Sequence, residues 1–201
     1  YYEDENARIN NNATELVGED IYGGFRNEPV EYEKIPEDLI NAFVCIEDKR
    51  FFEHNGIDWK RTAGAALNYF FNFKDEFGGS TITQQLIKNL TGDSQKNVGR
   101  KVQEMLRAIQ LERKMSKDEI LELYLNSIYL SQGCNGLKSA ADFYFGKDVS
   151  ELSIAEGACL VGITQYPTHY DPLLHPDNNK EKQELVLKKM YELEFITEKE
   201  Y

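Results

Sequence analysis

Hydrophobic positions recur at helical spacing along most of the chain. After Pro36, which suits a first helical turn, an apolar run predicts a buried helix towards Phe52, and its members are Leu39, Ile40, Phe43, Val44 and Ile46. Further helices are predicted at 58–71, at 81–90 and from about 179 onwards. Capping-box signatures, SKDE at 116–119 and SIAE at 153–156, predict two more. Alternating strand patterns are scarce, so the predicted fold class is mainly α.

The polar and acidic stretch 1–35 shows no lasting periodicity. It predicts an irregular N-terminal arm with one short strand near Val30. The remaining residues, 36–201, are numerous enough to bury a core as one domain. Hydrophobic residues make up 41% of the 201 residues and aromatic residues 12%, which is too apolar a composition for a disordered chain.

The formal net charge is -12, from 23 Lys and Arg against 35 Asp and Glu. This balance opposes general attraction to nucleic acid or to an anionic membrane surface, so an anionic ligand has to meet a local basic patch. Cys45, Cys134 and Cys159 lie far apart without zinc or redox spacing, and we expect them to be small buried residues. No cluster of His, Asp and Glu has the spacing of metal ligands.

No stretch approaches the roughly 18 apolar residues that a membrane-spanning helix needs, and no signal-peptide pattern opens the sequence. The chain starts at Tyr1 rather than Met and ends within a charged helical pattern. We therefore expect a segment of a longer protein, whose membrane anchors lie outside this sequence.

The segment EDKRFFEHNG begins at Glu47 and places two acids and a histidine beside two phenylalanines. A carboxylate beside aromatic rings has its ionised form disfavoured, which suits it to proton transfer near neutral pH. The structural alternative is that Glu47 and Asp48 cap a neighbouring helix or pair with Lys49 and Arg50. In that alternative, His54 is a structural histidine whose hydrogen-bonding groups are paired within the fold.

The segment GGSTITQQLIKN begins at Gly78 and sets paired glycines before hydroxyls and a predicted helix. Such a turn can present backbone N–H groups to phosphate oxygens. The GxxxxGK[ST] spacing of a P-loop is missing, so nucleotide hydrolysis is not supported. The alternative is that Ser80 or Thr81 only caps the helix.

The segment RKVQE sets Arg100 and Glu104 one helical turn apart, with Lys101 between them. Another side of the same helix carries an apolar stripe, made of Val98, Val102, Met105, Leu106 and Ile109. Charge pairs at this spacing usually lie on a solvated face and contribute roughly a few tenths of a kcal/mol. Spacing alone therefore favours a solvated position for Glu104.

Aromatic residues crowd around the end of the helix predicted at 58–71, namely Tyr69, Phe70, Phe71, Phe73 and Phe77. Two interpretations stay open from the residues alone. The rings form a patch that touches a membrane or a partner, or they fill the core.

Taken together and in this order, the three segments resemble the peptidoglycan glycosyltransferases, glycosyltransferase family 51, of class A penicillin-binding proteins and monofunctional transglycosylases. EDKRFFEHNG is similar to the family's EDxxFxxHxG, GGSTITQQ to GxSTxTQQ, and RKVQE to RKxxE. ILELYLN at 120–126 and AADFYFGK at 140–147 resemble the fourth and fifth motifs, so the resemblance runs from about 36 to 172.

The resemblance implies a lysozyme-like, two-lobed helical domain in which a small hydrophobic jaw, about 58–80, rests on the membrane. The implied substrate is lipid II, a disaccharide-pentapeptide on undecaprenyl diphosphate, which is joined to the growing glycan strand. No cofactor is implied, and a divalent cation that takes part would bridge the substrate diphosphate. The implied location is the outer face of the bacterial cytoplasmic membrane, with an anchoring helix before residue 1. A transpeptidase domain after residue 201 and other cell-wall synthesis proteins are the implied partners.

The resemblance also implies two catalytic carboxylates. Glu47 is the general base that takes the proton of the acceptor 4-hydroxyl, which attacks the anomeric carbon of the donor and gives a β-1,4 bond with inversion. Glu104 positions cations or the donor sugar. The resemblance implies a further set of substrate-binding residues, which organise the site around Glu47 or hold diphosphate and sugar oxygens. They are Asp48, His54, Ser80, Thr81, Gln84, Gln85, Lys88, Lys96, Arg100 and Lys101.

The sequence departs from the family pattern at one residue and in one short segment. Lys96 stands where arginine is common, which replaces a two-pronged phosphate ligand by a point charge. YLSQG at 129–133 replaces the commoner YFGxG. Two other functions stay open: a lysozyme-like hydrolase that delivers water to a glycosidic bond, and a non-catalytic scaffold that holds other cell-wall proteins.

Overall fold

The computed structural model describes residues 29–64, 79–92 and 98–201. The α-helices of these ranges are α1 (Glu37–Glu47), α2 (Ile82–Thr91), α3 (Val98–Glu112), α4 (Lys117–Ser127), α5 (Leu137–Phe145), α6 (Ile154–Ile163) and α7 (Pro176–Glu192). Residues 59–64 are helical as well, and short 3-10 helices lie at Tyr32–Lys34, Phe51–Glu53 and Val149–Glu151. In the described ranges strand pairing is limited to one isolated bridge, between Tyr129 and Asn135. The mainly α prediction is confirmed.

Two groups of helices surround a continuous hydrophobic core. In one group α6 packs against α1 and α7, and in the other α2 packs against α3 and α4. α6 is buried on nearly all sides from Gly157 to Ile163, as its almost entirely apolar sequence requires. The cysteines are free and buried, as predicted.

Local capping signals set the beginnings of three helices. The side chains of Thr81, Ser116 and Ser153 each accept a hydrogen bond from the backbone N–H three residues later. The side chain at that later position accepts a hydrogen bond from the backbone N–H of the capping residue. The SKDE and SIAE predictions are therefore confirmed.

Two predicted helix boundaries were wrong by a few residues. The first helix ends at Glu47 rather than near Phe52, because Asp48 leaves helical geometry. The last helix begins at Pro176 rather than near Asn179, since proline is well tolerated at a first helical position, where its missing N–H would have had no helical partner.

The strand predicted near Val30 was wrong, and residues 29–35 pack against α4 instead. The backbone N–H of Val30 donates to Asn126 Oδ1 at 2.9 Å, and Asn126 Nδ2 donates to the Val30 carbonyl at 2.9 Å. The backbone N–H of Tyr32 donates to Glu122 at 2.8 Å. One amide side chain therefore satisfies both backbone groups that a neighbouring strand would otherwise pair.

Most of the predicted jaw, including Tyr69 to Phe77, lies outside the described residues. Trp59, at the beginning of the helical stretch 59–64, is exposed. In the part of the chain that the structure describes, every helix is too short or too polar to cross a membrane.

Asp58 caps the helical stretch at 59–64 and ties it to the residues after α1. Its carboxylate accepts the backbone N–H of Arg61 at 2.9 Å and hydrogen bonds from the Arg50 guanidinium, through Nε at 2.8 Å and also through Nη2. Burial by itself would raise the pKa of Asp58. The hydrogen bonds from Arg50 and Arg61 outweigh burial and hold this pKa below its ordinary value.

We expect Asp58→Asn to lower the free energy of unfolding by about 1–3 kcal/mol at pH 7, since a charge-assisted pair is lost. A carboxyl whose pKa is lower in the folded state stabilises the fold above its unfolded pKa of about 3.9 and loses this contribution as the pH falls through the folded pKa. The difference from the parent should therefore shrink below about pH 4, as measured by urea unfolding. Exposed Asp177 supplies the control, Asp177→Asn, and a difference that stayed constant into acid would contradict the ion pair.

Candidate active site

Glu47, the last residue of α1, has its carboxylate held at both oxygens. The Thr164 hydroxyl donates to Oε1 at 2.6 Å and Gln85 Nε2 donates to Oε2 at 2.7 Å. The Arg61 guanidinium donates to the backbone carbonyl of Glu47. The residue is half-buried, and these two hydrogen bonds fix the direction of its carboxylate.

Tyr124 of α4 orients one of these partners. Its hydroxyl donates to Gln85 Oε1 at 3.4 Å, and its ring meets Phe43 edge to face. Complete burial, followed by the charges of Glu47 and Asp48, raises the pKa of Tyr124 well above its ordinary value. The phenol therefore stays protonated and available as a donor, which directs the Gln85 amide nitrogen towards Glu47.

Asp48, which follows Glu47, is completely buried. Its Oδ2 accepts His54 Nε2 at 2.8 Å and the backbone N–H of Ile82, the first residue of α2, at 3.0 Å. Capping of a neighbouring helix, one of the alternatives for this segment, is therefore what Asp48 does. The partner of Arg50 is Asp58 rather than Asp48.

His54 leads into a second buried cluster that sequence analysis missed. Its Nδ1 lies 3.9 Å from Glu112 Oε1, and Glu112 also accepts hydrogen bonds from Thr83 and, at 2.6 Å, from Lys117 Nζ. Lys117 donates to the His54 carbonyl at 2.7 Å and lies 4.3 Å from the centre of the Phe51 ring. Glu112 and Lys117 belong to none of the recognised motifs, so only their contacts in space identify them.

The two hydroxyls before α2 have different roles. Ser80 Oγ accepts from Lys101 Nζ at 2.8 Å. Thr81 and Gln84 are buried and form the capping box, and the Thr81 hydroxyl also donates to the Gly56 carbonyl at 2.8 Å. These hydrogen bonds hold the start of α2, and the expectation that Thr81 and Gln84 contact substrate stays a prediction.

Glu104 is buried, with 5% of its surface exposed, contrary to the solvated position that its spacing favoured. Its Oε2 accepts from Arg100 Nη1 at 2.6 Å and its Oε1 accepts from Lys101 Nζ. Two cations on its own helix therefore compensate the buried charge. The apolar stripe faces the other way, and its exposed members are Val98, Val102 and Leu106.

The structure thus brings the candidate residues into two clusters. One joins Ser80, Arg100, Lys101 and Glu104, and the other is centred on Glu47 with Gln85. Lys88 is exposed near the end of α2, and Lys96 lies outside the described residues. A fixed carboxylate and a cluster of cations are the two components that transfer from a phosphorylated donor to a hydroxyl requires.

The family model for transglycosylases matches residues 15–191, and the chain belongs to that family. Penicillin-binding protein 1F of Bacillus subtilis (strain 168) is 44% identical over 173 residues, which are 86% of this chain and 24% of that protein. Penicillin-binding protein 1A of Streptococcus oralis is 42% identical over 198 residues, 97% of this chain and 31% of that protein. The matched range begins at residue 15, within the stretch 1–35 that was predicted to be an irregular N-terminal arm.

A crystal structure of penicillin-binding protein 1A from Haemophilus influenzae has a similar fold, with a TM-score of 0.52 and 25% identity over 88% of this chain and 17% of that one. The chain spans less than a third of the length of these relatives. The predictions of a lysozyme-like helical fold and of a peptidoglycan glycosyltransferase domain are confirmed. Neither the hydrolase nor the scaffold alternative is favoured.

Proposed function

We propose that this chain polymerises lipid II into β-1,4-linked glycan strands by inverting displacement of undecaprenyl diphosphate, with Glu47 as the general base. The observation that carries the proposal is the carboxylate of the half-buried Glu47, fixed at both oxygens by Thr164 and Gln85. General base catalysis requires a carboxylate within hydrogen-bond reach of the attacking hydroxyl. A base that is already oriented needs no rearrangement when the acceptor arrives.

In the proposed step Glu47 takes the proton of the acceptor 4-hydroxyl while that oxygen bonds to the anomeric carbon of the donor. The bond between this carbon and the diphosphate oxygen breaks, and its electron pair leaves with the diphosphate. Attack and departure on opposite faces invert the configuration of that carbon. The charge that develops on the leaving group requires cations on that side.

Lys101 and Arg100 are the cations that we assign to the leaving diphosphate. Both contact Glu104, and Lys101 also reaches Ser80, so their directions are set before substrate binds. Phosphate oxygens can share these donors with Glu104 through charge-assisted hydrogen bonds. Glu104 therefore positions the cations in this proposal, while Lys88 and Lys96 supply further positive charge in a chain of net charge -12.

The proposed reaction requires no cofactor from the protein. Among the described residues, no group of three His, Cys, Asp or Glu side chains could hold a metal ion. We propose that a divalent cation, where the reaction uses one, is carried by the substrate diphosphate.

The relatives that are penicillin-binding proteins support a location and partners for the whole protein. We place the domain at the outer face of the cytoplasmic membrane, where the jaw at about 58–80 contacts the lipid surface. An anchoring helix before residue 1, a transpeptidase domain after residue 201 and other cell-wall synthesis proteins complete the proposed assembly.

Labelled lipid II in detergent tests the reaction. The purified chain should convert it into glycan strands that are resolved by length, and a parallel sample with a chelator shows whether a divalent cation takes part. Finished peptidoglycan should stay intact, whereas a hydrolase would shorten it. A folded chain that forms no polymer, in a sample where a known polymerase does, would contradict the proposed function.

A further inference from the structure

Thr164 lies outside every recognised motif and contacts Glu47 across 117 positions of sequence. It follows the last residue of α6, and its Oγ lies 2.6 Å from Glu47 Oε1 and 2.8 Å from the carbonyl oxygen of Val161. A hydroxyl has one hydrogen to donate but can also accept hydrogen bonds. Thr164 can therefore donate to only one of these two oxygens at a time.

We propose that Thr164 is a positioning residue that supports the base in both of its protonation states, an inference that rests on the proposed role of Glu47. While Glu47 is ionised, the Thr164 hydroxyl donates to Oε1. After Glu47 has taken the acceptor proton on Oε1, this new O–H donates to Thr164 Oγ, and the Thr164 hydrogen turns to the Val161 carbonyl. The proton moves from the acceptor to Glu47, and Thr164 loses no atom.

Gln85 can only donate to Glu47. Its Nε2 donates to Glu47 Oε2 and cannot accept, and its Oε1 already accepts from Tyr124. A proton on Oε2 would compete with the N–H that faces this oxygen. Protonation of Oε1 keeps both partners of Glu47 satisfied, which makes Thr164 the partner that has to reverse its hydrogen bond.

Charged and titratable groups lie close to Glu47 in several elements, and they are Cys45, Asp48, Arg61 and Tyr124. Lys182 of α7 contacts Gln165, the residue after Thr164, at 2.7 Å. Burial raises the pKa of Cys45 to about 12, and burial with nearby carboxylates raises that of Tyr124 well above its ordinary value. Neither group changes charge near neutral pH. Uncharged substitutions at Thr164 leave all these charges in place, so a change in pH dependence reports the lost hydrogen bond.

The test compares Thr164→Val, which keeps the shape but loses the hydroxyl, with Thr164→Ser, which keeps the hydroxyl. Initial rates of lipid II polymerisation are measured from about pH 5 to 9. Thr164→Val should lower kcat about tenfold and move the acidic limb of kcat/KM up by roughly one pH unit. The shift is expected because the ionised base loses a charge-assisted hydrogen bond, which is stronger than the neutral hydrogen bond that the protonated base loses. Thr164→Ser should restore both quantities. The matched control is Thr168→Val at an exposed threonine, which should behave as the parent.

An unchanged pH profile for Thr164→Val would overturn the inference, and so would an equal shift in Thr164→Ser. If Thr164→Val does not fold, as judged by circular dichroism, Thr164→Ala takes its place in the comparison with serine. Glu47→Gln in the same assay separates the two proposals. Full activity of Glu47→Gln would refute the proposed role of Glu47 as the general base. An inactive Glu47→Gln together with a parent-like Thr164→Val would overturn only the role of Thr164.

Discussion

Glu47→Gln is expected to slow lipid II polymerisation about a thousandfold while the chain stays folded. The amide oxygen of glutamine can still accept a hydrogen bond from Thr164, so the side chain keeps much of its position. An amide is too weak a base to take the proton of the acceptor hydroxyl. The rate of strand formation and the melting temperature, measured on the same preparation, separate this chemical loss from unfolding.

Glu53→Gln is the matched control because Glu53 belongs to the same motif segment but is exposed. Removal of its charge should leave the rate within about twofold of the parent, as surface substitutions away from a site usually do. A Glu47→Gln variant that kept a tenth or more of the parent rate would contradict the assignment of Glu47 as the base.

Local signals in the sequence predicted much of the fold because they act over only a few residues. A capping box joins two positions three apart, so Ser116 and Ser153 mark the beginnings of α4 and α6 without knowledge of the rest of the chain. The buried helix that carries Glu47 followed from the same kind of local pattern, although its end was placed a few residues too late.

The orientation of α3 could not be predicted in this way. Amphipathic analysis assigns the apolar side of a helix to the core, yet here Glu104 is buried and Val98 is 81% exposed. The reason is that Arg100 and Lys101 on the same helix neutralise Glu104, and Ser80 joins the cluster from the turn before α2. Contacts of this kind depend on how two helices meet, as does the long-range contact of Thr164 with Glu47.

The departure YLSQG has a physical account that only the structure supplies. Ser131 and Gln132 have positive φ values of 64° and 47°. Ser131 stands where the commoner YFGxG has its first glycine. Such geometry costs about 1–2 kcal/mol for a residue with a side chain. The buried carboxylate of Asp171 accepts hydrogen bonds from both side chains, at 2.7 Å and 2.6 Å, and offsets this cost.

Gly56→Ala is expected to destabilise the chain by about 3 kcal/mol or more, through backbone strain and steric overlap. Gly56 ends the first motif with φ of 89°, and an added Cβ would lie 2.7 Å from the carbonyl carbon and oxygen of Ala108. These are backbone atoms of α3, so a side-chain rotation cannot relieve the overlap. Urea unfolding measures the loss.

Gly146→Ala isolates the backbone strain, so its comparison with Gly56→Ala gives the steric part of the effect. Gly146 also has positive φ, 62°, but an added Cβ would meet nothing within 4 Å, so about 1–2 kcal/mol of backbone strain is expected there alone. Equal losses in the two variants would contradict the close approach of Gly56 to α3. A larger loss at Gly56 would measure the cost of moving α3, which carries Glu104, away from the segment that begins with Glu47. Since the Gly56 carbonyl also accepts the Thr81 hydroxyl, this glycine sets the spacing of the first motif against both α2 and α3.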